Sequence, residues 1–91
     1  MEFPTKLVGV TFDNKQNNIR TLKEGDELTI VKEKNNPFHS KAILLTKDGK
    51  DMGYLSRELA DKFYDKIEKV VVLNVTCKED TYGVNIKVIV E

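Results

Sequence analysis

The chain has 91 residues, room for one small hydrophobic core and not for two. Its 15 Lys and Arg balance 15 Asp and Glu, which excludes the strongly basic profile of a dedicated non-specific DNA binder. Its one cysteine, Cys77, excludes an intramolecular disulfide; with no apolar run near the roughly 18 residues of a membrane span and no signal-peptide shape in MEFPTK, a cytoplasmic location is expected.

Leu7–Asp13 (LVGVTFD) alternates Val8, Val10 and Phe12 against Leu7, Gly9 and Thr11, the period of a first strand. Gly9 would admit another backbone or a bend at a barrel corner. Phe12 reads first as core and second as an exposed stacking ring. Asn14–Asp26 is polar, but Ile19 and Leu22 stand three apart. That spacing predicts a short helix or turn over about 15–23, stopped by Gly25. Lys15 and Arg20 are expected in solvent, with phosphate contact as the second reading. Glu27–Lys34 (ELTIVKEK) is a second strand with Leu28 and Ile30 facing in. Its mixed run Lys32-Glu33-Lys34 reads as a solvated strand end.

Asn35–Leu55 carries the strongest signals. Pro37 biases Asn36 toward extended geometry, and Phe38 and His39 follow it. The apolar run Ala42–Leu45 and the returning Met52–Leu55 flank Asp48-Gly49, a dipeptide that marks a hairpin. This hairpin sets Phe38 and His39 toward one end and Tyr54 toward the other. Aromatic rings on a sheet with Lys41 and Arg57 nearby suit a surface that stacks bases and holds phosphates, though many ordinary β domains share those parts.

Ser56–Lys69 is the main helix, over about 56–68: Ser56 can cap it, Glu58 suits its dipole, and Leu59, Phe63 and Ile67 recur every four residues. Phe63 is therefore core. Arg57 in the first turn either meets a phosphate or pairs with Asp61. Val70–Lys78 is a β-branched strand with Val71, Leu73, Val75 and Cys77 on one face, and Cys77 reads as a small core residue. Tyr82, Val84, Ile86, Val88 and Val90 then alternate in a last strand that pairs with it as a hairpin. The sum is a mainly β domain of six antiparallel strands, one main helix and one short one. A sheet of this size usually closes into a small barrel to protect its edges.

No constellation for catalysis stands out. A single His and a single Cys leave no metal-ligand spacing. No glycine-rich phosphate loop is present, and Ser40 beside His39 lacks a third group. The expectation is a binding module, not an enzyme, with no cofactor and no metal.

The motifs Val8-Gly9-Val10-Thr11-Phe12, Gly25-Asp26-Glu27-Leu28, Asn36-Pro37-Phe38-His39-Ser40-Lys41-Ala42-Ile43, Asp48-Gly49, Gly53-Tyr54-Leu55 and Arg57-Glu58-Leu59-Ala60 together resemble the HIRAN domain, in order and spacing, from about Leu7 to Val90. The resemblance implies one domain over 1–91 with an OB-like β-barrel. In the HIRAN domain of eukaryotic SWI/SNF-type fork-remodelling translocases that barrel captures the 3′ end of single-stranded DNA. Bases stack on aromatic rings, an acidic residue recognises the 3′-hydroxyl, and basic residues hold phosphate. Phe12 matches an aromatic of the first strand and Phe38 the aromatic after the Asn-Pro pair. Tyr54 falls on a backbone-contacting position and Arg57 on a phosphate-binding one.

Two positions depart from that pattern. His39 stands where the family often has Asp, and Thr11 where the DNA-end binders carry Arg. A neutral imidazole accepts through one nitrogen only, and a protonated one would attract phosphate. The expected nucleic-acid surface is thus Thr11, Phe12, Phe38, His39, Lys41, Tyr54 and Arg57, with single-stranded DNA or DNA ends as partner and DNA repair or fork processing as context. The chain looks like a stand-alone bacterial or phage member. The alternative is a protein-interaction or structural barrel without DNA binding, which zero net charge and the two departures favour.

Overall fold

The computed structural model describes residues 1–91. The elements run β1 (Glu2–Lys6), α1 (Lys15–Ile19), β2 (Glu27–Glu33), β3 (Ala42–Lys47), β4 (Lys50–Tyr54), α2 (Arg57–Phe63), β5 (Ile67–Lys78) and β6 (Thr81–Val90). The six strands form one antiparallel sheet in the order β1-β6-β5-β2-β3-β4. The fold is therefore mainly β with two helices, as the sequence implies. No helix is long and apolar enough to cross a membrane.

Two hairpins set the register. Asp48 and Gly49 take φ of 53° and 79°, so both central residues have the positive φ of a type I′ turn, and Lys47 faces Lys50 across it. Glu79 and Asp80 repeat the geometry at φ 51° and 64°, joining β5 to β6. The inward face of β6 alternates as the sequence predicts, with Val84, Ile86, Val88 and Val90 buried. Beneath it lie Leu28, Ile43, Leu45, Met52, Val70 and Val72, capped by Ile19 and Leu22 from the α1 side and by Ala60 and Phe63 from α2. Phe63 meets Phe3 with ring centroids 4.9 Å apart.

The ladder does not run closed around the sheet. Its two edges are joined at one place, where Val8, just after β1, bridges Tyr54 at the end of β4. Both hydrogen bonds of that bridge form, at 2.8 and 2.9 Å. Gly53 permits it: a Cβ there would stand 3.0 Å from the Val8 carbonyl oxygen.

Three expectations fail locally. The first strand is Glu2–Lys6, not Leu7–Asp13. Pro4 is tolerated because β1 is an edge strand, and Gly9 at φ 67° turns the chain out of the sheet. The main helix stops at Phe63, and Ile67 pairs with Val90 as the first residue of β5. The short helix, Lys15–Ile19, and the turn that follows it fall where expected, and Ile19 and Leu22 both reach the core. Finally, a bulge in β5 between Val72 and Asn74 changes which residues face inward. Val70 and Val72 are buried before it and Val75 packs on the core after it, while Cys77 near the hairpin tip is exposed.

Candidate nucleic-acid interface

The chain leaving β1 turns at Gly9 and then passes Asp13 and Asn14, both at positive φ, 54° and 63°. Asp and Asn tolerate that region because their short polar side chains bond locally. The resulting loop points Phe12 outward, 66% exposed, against its first reading as core. Gln16 pins the loop from below. Its Nε2 donates to the carbonyls of Val10 and Tyr82, both at 2.9 Å, and its Oε1 accepts from the Tyr82 amide at 2.6 Å.

The facing wall is the segment before β3. Asn36 Oδ1 accepts from the amides of Phe38 and His39 at 2.8 and 3.1 Å, an Asx turn that Pro37 stiffens. The Phe38 ring is left 84% exposed. Two residues of α2 brace this segment. Arg57 donates to the Phe38 carbonyl at 2.6 Å, and His39 Nε2 donates to Asp61 Oδ1 at 2.7 Å. The Arg57–Asp61 pair does not form, because each residue takes a partner on the loop instead. Ser56 caps α2 as predicted, accepting from the Leu59 amide.

Between the walls lies a cleft of about 570 Å³ lined by Phe12, Phe38, His39, Tyr54 and Arg57 among others. Thr11 and Lys41 are exposed and do not line it. Three of the five exposed large apolar side chains of the protein, Val8, Phe12 and Phe38, open onto this one feature. Lys15 and Arg57 face a single lining carboxylate, Asp13, so the cleft is locally cationic in a chain of zero net charge.

Tyr54 forms part of the floor. Its hydroxyl donates to Glu33 Oε1 at 2.6 Å, and the same oxygen accepts from Asn36 Nδ2 at 3.2 Å. The bond to Glu33, then burial, push the phenol up to about 12. Glu33 is thus a half-buried support and not part of a solvated strand end.

Lys15 is the largest departure from expectation: it is only 4% exposed, where solvent was expected. Its ammonium lies 5.5 Å from the Tyr54 ring centroid and lines the cleft. The roles of Gln16, Glu33 and Asp61 also escaped the sequence reading, since each acts through a contact far away in the chain. Asn36 had a local signal, the Asn-Pro dipeptide that opens a turn.

A HIRAN domain family profile matches residues 2–91. No curated protein sequence is significantly similar. Among solved structures, a protein from Lactobacillus plantarum resembles this one with a TM-score of 0.59 and 16% identity, covering 100% of both chains, a likeness of fold. With its profile match spanning β1 to the end of β6, the chain belongs to the HIRAN domain family, a family of nucleic-acid-binding modules.

Proposed function

We propose that the cleft binds single-stranded nucleic acid, DNA ends foremost, by stacking bases on Phe12 and Phe38 and contacting phosphate through Arg57, with Lys41 at the rim. The observation that carries the reading is the pair of exposed phenylalanines on one open, locally cationic cleft. Burying an exposed ring against a base removes apolar area from water, and every base offers a π face. Each stacked base contributes about 1–3 kcal/mol.

His39 supplies the end preference. Asp61 can only accept, so the neutral imidazole carries its proton on Nε2 and leaves Nδ1 as an acceptor. An acceptor held at that place suits a terminal hydroxyl. Recognition of this kind breaks no bond, and the protein acts as a binding module in DNA repair or fork processing, without catalysis or cofactor.

Fluorescence anisotropy on labelled strands tests this. Wild-type protein is expected to bind a strand with a free 3′-hydroxyl more tightly than a 3′-phosphorylated or circular one, and DNA at least as well as RNA. Phe38→Ala is expected to weaken binding roughly tenfold with little change in melting temperature, because the ring is exposed. The apolar walls also suit a protein ligand, and a folded protein with no salt-sensitive binding to any strand would favour that reading.

A further inference from the structure

We propose that Lys15 is a phosphate anchor on the cleft wall: the ammonium at the end of its buried side chain receives one phosphate of the strand whose bases stack on Phe12 and Phe38. This rests on the binding reading above. A lysine is almost never buried without a partner, because its charge loses hydration. Lys15 is 4% exposed, yet no protein acceptor lies within hydrogen-bond distance of its ammonium. Its carboxylate neighbour is Asp13 at 3.8 Å, whose own side chain is 89% exposed. The Tyr54 ring offers a π face at 5.5 Å and no acceptor. The Tyr54 hydroxyl turns away to Glu33.

An ammonium has three donors, and here none is taken up by the protein. The stem is packed and ordered before any ligand arrives, so little side-chain freedom is lost on binding. The residue lines the same cleft as the two rings and Arg57. A phosphate oxygen would satisfy these donors and would be held by a charge in a setting of lower dielectric than the open surface.

Lys15→Met keeps the length and apolar stem and removes the charge. The experiment measures affinity for short strands across a range of salt concentrations, for wild type, Lys15→Met, Phe38→Ala and the exposed control Arg20→Met. Lys15→Met is expected to bind about tenfold more weakly and to flatten the slope of log K on log salt by about 0.7, one single-strand phosphate. Phe38→Ala should weaken binding with its slope unchanged, and Arg20→Met should match wild type. Strands with a 5′-phosphate, a 3′-phosphate or neither distinguish the source. A Lys15→Met defect on all three assigns a phosphodiester; a defect on one assigns that terminal phosphate. If Phe38→Ala weakens binding while Lys15→Met leaves affinity and slope unchanged on every strand, the anchor is overturned and the stacking surface stands. If wild type binds no strand, the underlying reading fails and the anchor with it. A single methylphosphonate that abolishes the difference between wild type and a folded Lys15→Met would locate the contact.

Discussion

Arg57 and Phe38 are joined by one hydrogen bond, from the guanidinium to the main-chain carbonyl at 2.6 Å. The cation proposed to meet phosphate therefore also holds the segment that presents the stacking ring. Charge and geometry can be separated by substitution. Arg57→Ala should lower affinity more than tenfold and flatten the salt slope by about 0.7. Arg57→Lys should keep the slope, since the charge stays, while losing roughly threefold in affinity because an ammonium lacks the planar fork. Equal losses from both variants would show that the bond to Phe38, and not the charge, is what matters.

Gln16 and Tyr82 stand 66 residues apart and exchange two hydrogen bonds, with a third from Gln16 to Val10. Together they tie the Phe12 loop to the start of β6. Removing the amide leaves three main-chain groups without their partner, at about 1–3 kcal/mol in all once water enters. Gln16→Ala should lower the melting temperature and speed amide exchange at Tyr82 well beyond that of Val84. Unchanged exchange at Tyr82 would refute the clamp.

Gly53 lies where the two sheet edges meet. A Cβ there would stand 3.0 Å from the Val8 oxygen, 3.2 Å from Val10 Cγ1 and 3.3 Å from Leu7 Cβ, and its φ of 158° adds no relief. Main-chain atoms cannot yield cheaply, so Gly53→Ala should cost about 1–3 kcal/mol and loosen the Val8–Tyr54 bridge. Denaturant melts measure the cost. A melt superimposable on that of wild type would mean the edges part freely.

Tyr54 holds its proton to about pH 12 in the fold, against 10.0 for an unperturbed phenol, chiefly through its bond to Glu33. A raised acid pKa means the folded state retains the proton that the unfolded chain gives up. The resulting stabilisation is complete below pH 10.0 and disappears as pH climbs to about 12. The stability difference between wild type and Tyr54→Phe should therefore shrink across that alkaline window and stay level below it. A constant difference throughout would argue against the Tyr54–Glu33 bond.

Local chemistry was legible in the chain itself. The Asp48-Gly49 turn, the Ser56 cap, the alternation of β6 and the buried place of Phe63 each depend on residues only a few positions apart. One cleft wall was legible as well, because Pro37 and the dipeptide it forms with Asn36 announce an extended turn carrying Phe38 and His39. Other boundaries were ambiguous for a stated reason. Leu59, Phe63 and Ile67 recur every four residues, a spacing that suits one face of a helix and equally one face of a strand. Pairing of Ile67 with Val90 decided the matter.

Tertiary structure alone decided which way the polar and aromatic groups point. Phe12 faces solvent because Gly9 and two residues at positive φ lift its loop off the sheet. Lys15 is buried because the same turn places it against Tyr54, and Asp61 holds His39 because α2 packs beside the segment before β3. The bulge after Val72 moves the inward face of β5, and Cys77 lies beyond the buried part of the strand. Turn and period preferences act over a few residues of chain; orientation and partner choice depend on what lies across the sheet, which sequence spacing does not encode.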